Sequence, residues 1–189
     1  MEFKNSTSIN TKNMINLSYI YQLIVEENNI IKSKYTLYQD MDGCLTDFDV
    51  AFTELTNGIS PNDYKKEHGI DGFWNLIDKE GVKFWSEMPW MEDGKQLWDY
   101  IKKYSPTLLT SPSIEQDSRT GKQLWVDKEI PNTDIIFKYS KSKKDKAKEN
   151  SILIDDRKSI IDDWENAGGI GILHTSTNNT INQLKKLGL

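Results

Sequence analysis

Five short apolar runs, spaced along the chain and separated by stretches of helical character, constrain the fold more than any other feature. They are TLYQ before Asp40, PTLLT ending at Thr110, TDIIF at 133–137, SILI before Asp155, and GIGIL before His174. Between the last four lie SIEQDSRTGKQLWVDKEI, KSKKDKAKEN and KSIIDDWENAGG, with Gly168 placed to end the last helix. Strands that alternate with helices pair in parallel, because a parallel return needs a crossover. The expected fold is therefore α/β, a Rossmann-like parallel sheet with helices on both faces. Ligands of such sheets sit beyond the carboxyl ends of the strands. Three of the five runs end there in polar groups: Asp40, Thr110 with Ser111, and Asp155 with Asp156.

The stretch 50–100 breaks the alternation. Gly58, Gly69, Gly72, Gly81 and Gly94 punctuate it, Ser60–Pro61 reads as a helix N-cap and first position, and Trp74, Trp85, Trp90 and Trp98 fall within it. It reads as a small helical cap inserted over the strand ends, with most of its tryptophans filling its core. The core domain is then 35–49 with 101–189. Residues 1–34 read as an appendage: a loose tail and an amphipathic helix near 15–27, whose Leu17, Ile20, Tyr21 and Ile24 share a face that docks on the body.

DMDGCLTDFD, Asp40 to Asp49, gathers four aspartates in ten residues. Such repulsion needs an offset. Gly43 permits a sharp turn that brings Asp40 and Asp42 to one site. Asp40 can attack phosphorus as a nucleophile, and Asp42 can move the proton of the leaving oxygen. Carboxylates repel a phosphate dianion, so a hard cation with oxygen ligands is required, and Mg²⁺ meets that demand, with Asp155 and Asp156 completing its shell. Thr110 and Ser111 offer donors to phosphate oxygens. A lysine should neutralise the oxyanions; KSKKDKAKEN and Lys122 supply candidates without choosing among them. The lone Cys44 reads as a small turn residue, His174 as structural, His68 as an exposed helix residue, and Trp125 and Trp164 as packing. With a single cysteine, no intramolecular disulfide forms.

The motifs resemble those of the haloacid dehalogenase superfamily of phosphohydrolases: DMDGCLTD the first, LLTSPS the second, ILIDD the fourth. Within it, TSPSIEQDSRTGKQLWV, DGFWN and ILIDDR are similar to the 5′(3′)-deoxyribonucleotidases and their phage-encoded relatives, over roughly residues 35 to 175. The resemblance implies that Asp40 is nucleophile and metal ligand, that Asp42 is acid/base and ligates through its carbonyl, that Asp156 is a ligand supported by Asp155, and that Thr110 with Ser111 binds phosphate. It places the phosphate lysine at Lys144 and the base contacts at Phe48, Phe73 and Trp74.

The function so read is Mg²⁺-dependent hydrolysis of deoxyribonucleoside monophosphates through an aspartyl-phosphate. The alternatives are a phosphatase for another small metabolite and a non-catalytic nucleotide-binding protein. The partner is a small nucleotide. A net charge of −5 disfavours a nucleic-acid polymer, and no apolar run reaches the ~18–20 residues that span a bilayer. A homodimer is compatible with this reading. The chain reads as cytoplasmic, and its phage-encoded relatives suggest a viral gene acting in a host cytoplasm.

Overall fold

A computed structural model of the chain describes residues 17–26 and 34–189. All five expected strands form: β1 (Thr36–Gln39), β2 (Thr107–Thr110), β3 (Ile135–Phe137), β4 (Ser151–Asp155) and β5 (Ile170–Leu173). They pair in parallel in the order β3-β2-β1-β4-β5. The chain winds outward from β1 through β2 to β3, then returns to the other side of β1 as β4. The topological switch point therefore lies between β1 and β4, where Asp40 and Asp155 emerge.

Side-chain alternation divides the core between the two faces of the sheet. Leu108, Ile152 and Ile154 pack on one face with Leu97, Ile101, Trp125 and Val126. Leu109 and Leu153, their chain neighbours, pack on the other with Ile160, Ile161 and Trp164 of α7 (Lys158–Asn166). Trp164 meets Tyr38 edge-on at 5.5 Å and, like Trp125, is fully buried. Gly168 has φ +90°, a left-handed value suited to the residue just past the helix cap at Ala167.

Between β1 and β2 the chain forms α2 (Phe48–Leu55), α3 (Pro61–Glu80, broken at Gly69) and α4 (Val82–Ser86), largely within the stretch 50–100 read as a cap. The Ser60 hydroxyl caps α3 by accepting from the Asp63 N–H at 3.2 Å, with Pro61 in the first turn. The aromatic residues of that stretch do not form a separate core. Phe52, Phe73, Phe84 and Trp85 are continuous with the core cluster of the sheet. α5 (Gly94–Ile101) packs on α8 (Thr177–Lys186), and α4 lies along α6 (Gln116–Glu129).

Residues 17–26 form a helix, α1, as the apolar spacing predicts. Docking of its apolar face on the body is not what the structure has. Leu17, Ile20, Tyr21 and Ile24 are exposed, and so are Tyr19, Leu23 and Val25 on the remaining faces. The tail expected before residue 15 lies outside the described residues. None of the described helices is long and apolar enough to cross a membrane.

Candidate active site

The backbone turns sharply after β1. The Met41 carbonyl accepts from the N–H groups of Cys44, Leu45 and Thr46, and Gly43 sits at φ +79°. Glycine is needed twice over here: the left-handed φ disfavours a side chain, and a Cβ would run into the Asp156 carboxylate. The turn places Asp40 and Asp42 at the mouth of one cavity of about 290 Å³, together with Phe48, Ser111, Asp156 and Arg157.

Asp40, Asp155 and Asp156 bring one carboxylate oxygen each within 4.8 Å of one another. Lys143 bridges this group, its ammonium 2.8 Å from Asp40 Oδ1 and 2.7 Å from Asp155 Oδ2. Asp40 Oδ1 also accepts from the Met41 N–H, whereas Oδ2 has only the Arg157 guanidinium at 3.7 Å. Among the described residues Oδ2 is thus the less engaged oxygen. Burial alone would raise the Asp40 pKa, but Lys143, Arg157 and Lys122 outweigh it and hold the carboxyl below its ordinary value. Asp155 goes the other way. Burial, reinforced by the charge of Asp40, pushes it up to about 7, and Asp156 is raised for the same two reasons. Those raised values mark an excess of buried negative charge. The donors are all hard oxygens close enough to share one ion, so the set fits Mg²⁺.

The carboxylate of Asp42 is not in that cluster. Its Oδ2 receives the Lys122 ammonium at 2.6 Å and its Oδ1 the Thr46 hydroxyl at 3.0 Å. An Asp42 contribution to a metal would fall to its carbonyl, as the resemblance implies. Ser111 lines the cavity and its hydroxyl meets that of Ser140 at 3.0 Å. Thr110 is fully buried and its hydroxyl accepts from Lys122 at 2.8 Å.

The phosphate lysine was expected at Lys144; that residue is exposed, and the neighbouring Lys143 is the one buried against the carboxylates. The reason is local. The lysine-rich run does not form an α-helix but a 3₁₀ helix, Ser140–Lys146, whose three-residue turn sets a different inward face. Phe73 is also displaced from its expected role. It is 1% exposed and stacks within the core, 4.6 Å from Phe52, so it cannot touch a ligand. Trp74 next to it is 38% exposed and lines a second cavity of about 650 Å³ with Tyr139 and Ile114. Ser111 lines the first cavity and its chain neighbours Pro112 and Ser113 the second. Phe48 is half-buried; it lines the first cavity and also packs against Phe52, Phe73, Phe84 and Trp85.

Sequence reasoning missed Arg157. Its guanidinium donates to Ser140 Oγ at 2.9 Å and lies 3.5 Å from Asp155 and 3.9 Å from Asp156. The only signal was its position directly after the paired aspartates. Cys44 is buried, and burial, with the charge of Asp40, pushes its thiol well above the ordinary value, so it is a poor nucleophile. His174 is buried on Thr180 at 2.8 Å, its pKa lowered by burial.

No family model and no curated protein matches the chain. Solved structures do. A putative β-phosphoglucomutase from Thermotoga maritima aligns at 14% identity over 81% of this chain and 99% of its own, with a TM-score of 0.51. A haloacid dehalogenase-like hydrolase from Streptococcus pneumoniae aligns at 13% over 82% and 98%, with 0.49. A predicted phosphatase from Clostridium acetobutylicum aligns at 14% over 82% and 99%, with 0.46. At 14% identity the likeness to the first of these shows the fold alone, a Rossmann-like α/β core.

Proposed function

We propose that the chain is a Mg²⁺-dependent phosphohydrolase acting on small phosphomonoesters, with deoxyribonucleoside monophosphates as the substrate class. One observation carries the reading. The Asp40 carboxylate, bridged by Lys143 to Asp155 through one oxygen, stands beside a second carboxylate, Asp42, at a cavity also lined by Asp156 and Arg157. Asp40 and Asp156, with the Asp42 carbonyl and Asp155 in support, would hold the cation, which supplies the positive charge that lets a carboxylate approach a phosphate dianion.

Asp40 Oδ2 attacks phosphorus in line, the ester P–O bond breaks, and Asp42 gives its proton to the leaving oxygen. Asp42, now ionised, takes a proton from water as that water cleaves the aspartyl-phosphate. The proton lost in the first step is recovered in the second. Lys143 uses two of its three donors on Asp40 and Asp155, leaving one for a phosphate oxygen. Arg157 and the Ser111 hydroxyl border the same space.

Trp74 supports the nucleotide. Its exposed ring lines a cavity bordered by Pro112 and Ser113, which follow Ser111 of the phosphate end in the chain, and an aromatic face there can stack on a base. The burial of Phe73 and the polar border of Asp47 and Asp49 favour a second reading, a phosphorylated sugar, which gains less from stacking. Phosphate release from a panel of nucleoside monophosphates and sugar phosphates, with and without Mg²⁺, tests both. Turnover of nucleotides above sugars is expected; no turnover of any phosphomonoester would overturn the proposal.

A further inference from the structure

Lys122 has the geometry of a residue that holds another in place. Its side chain is completely buried, yet its ammonium sits 2.6 Å from Asp42 Oδ2, 2.8 Å from Thr110 Oγ1 and 3.0 Å from the Ser111 carbonyl. An ammonium has three N–H donors and no acceptor. All three are therefore used on the protein, and none is left for a phosphate oxygen. That sets Lys122 apart from Lys143, which keeps one. The other Asp42 oxygen, Oδ1, is held by the buried Thr46 hydroxyl at 3.0 Å. Both oxygens of one partly exposed carboxylate are thus gripped from inside the protein.

We propose that Lys122 and Thr46 form a two-point clamp that orients the Asp42 carboxylate for proton transfer, and that the helical insert keys this clamp. The claim rests on the reading of Asp42 as acid/base. Thr46 is fixed by the turn itself: its N–H donates to the Met41 carbonyl and its carbonyl accepts from Gly43. Lys122 is fixed from three sides. Thr110 and Ser111 hold it from the end of β2. The third side is the insert, for the Trp85 ring of α4 lies 5.4 Å from the ammonium. Gly121 makes that approach possible. A Cβ there would collide with the Trp85 Cβ and the Val82 carbonyl, so α4 rests directly on the α6 backbone one residue before Lys122. The glycine–lysine pair reads as one device: the first residue lets the insert close in, and the second carries its position to the acid/base.

The consequence separates orientation from stability. A proton donor matters in proportion to how badly the leaving group needs the proton. An alkoxide leaving from glycerol phosphate needs it; a dinitrophenolate does not. A misplaced Asp42 should therefore slow formation of the aspartyl-phosphate from the first ester far more than from the second, whereas general loosening of the fold slows both alike.

The test is the rate of each ester with wild type, Asp42→Asn, Thr46→Val and Lys122→Met, after the folded fraction of each is checked by circular dichroism. Asp42→Asn sets the full split. Because Asp42 also serves the second step, which both esters share, the split is read on the first step alone: for Thr46→Val and Lys122→Met, kcat/KM for glycerol phosphate should fall roughly 10–100-fold, up to the lower end of the ~10²–10⁴ that proton transfer supplies, while the first-turnover burst of dinitrophenolate should slow less than about threefold. Thr46→Val keeps the shape of the side chain and carries the test should Lys122→Met fail to fold. Equal losses on both esters, or none, in folded variants would overturn the clamp while leaving the phosphohydrolase standing. A wild type that turns over neither ester, or an Asp42→Asn variant with no split, overturns the underlying reading and the clamp with it.

Discussion

Replacing Lys143 with methionine removes the one ammonium shared by Asp40 and Asp155, both of which are buried. The methionine fills much of the space, so little of the effect comes from packing. What remains is two carboxylates facing each other without their cation. Leaving a buried charge unpaired costs about 3–5 kcal/mol. At roughly 2–4 °C per kcal/mol for a chain of this size, the melting temperature should fall by roughly 6–20 °C. Lys144→Met is the control. Its side chain is exposed, and surface changes stay within about 0.5 kcal/mol. Thermal melts of the two variants in chelator, one residue apart in sequence, give the answer. Two further signs follow. The deficit of Lys143→Met should shrink at low pH, where the orphaned carboxylates accept protons, and phosphate release should drop to near background. A Lys143→Met protein melting within two or three degrees of wild type, or a Lys144→Met protein melting far lower, would refute the assignment of the buried bridge.

Phosphate release should vanish in EDTA and return with Mg²⁺, and Ca²⁺ should support it poorly because its larger, looser shell misplaces the phosphoryl group. Asp40→Asn should leave background turnover, while Asp42→Asn should lose roughly 10²–10⁴-fold on an alkyl ester. Trp74→Ala should cut kcat/KM for a nucleotide by roughly 10–100-fold and spare p-nitrophenyl phosphate, whereas Phe73→Ala should lower the melting temperature and harm both substrates alike. Asp155 is an acid whose folded pKa, about 7, lies above its ordinary 3.8. Between those values the unfolded chain gives up a proton that the folded chain keeps, so this group makes metal-free protein less stable as pH rises across that window. Urea midpoints in EDTA at pH 5 and pH 8 should therefore differ less for Asp155→Asn than for wild type.

The sheet was legible because each strand announces itself locally, as a short apolar run stopped by polar residues, and because alternation with helices leaves only parallel pairing. The first and fourth motifs were legible for the same reason: Asp40, Asp155 and Asp156 are strand ends, and topology alone brings them together. What depended on helix phase was not. Lys143 and Lys144 differ only in which side of a 3₁₀ turn faces the carboxylates, and nothing in a lysine-rich run encodes that. Phe73 and Trp74 pose the same problem: adjacent helix positions point about 100° apart, so one was bound to be core, and tertiary packing chose Phe73. Lys122 was visible as a candidate but its role was not, because a buried ammonium saturated by three acceptors is a property of contacts between α6, β2 and the turn after β1. The docking of α1 could not be read from spacing either, since its apolar residues occupy more than one face.

The central claim is that the phosphoryl group passes through Asp40. The stereochemistry at phosphorus tests it most directly, using a phosphorothioate monoester made chiral with two oxygen isotopes and hydrolysed in water enriched in the third, so that the thiophosphate product carries four different ligands. Two successive in-line displacements, first by Asp40 and then by water, each invert the centre, so the account predicts net retention. Net inversion would mean that water attacks the substrate in a single step, and would contradict the assignment of Asp40 as nucleophile.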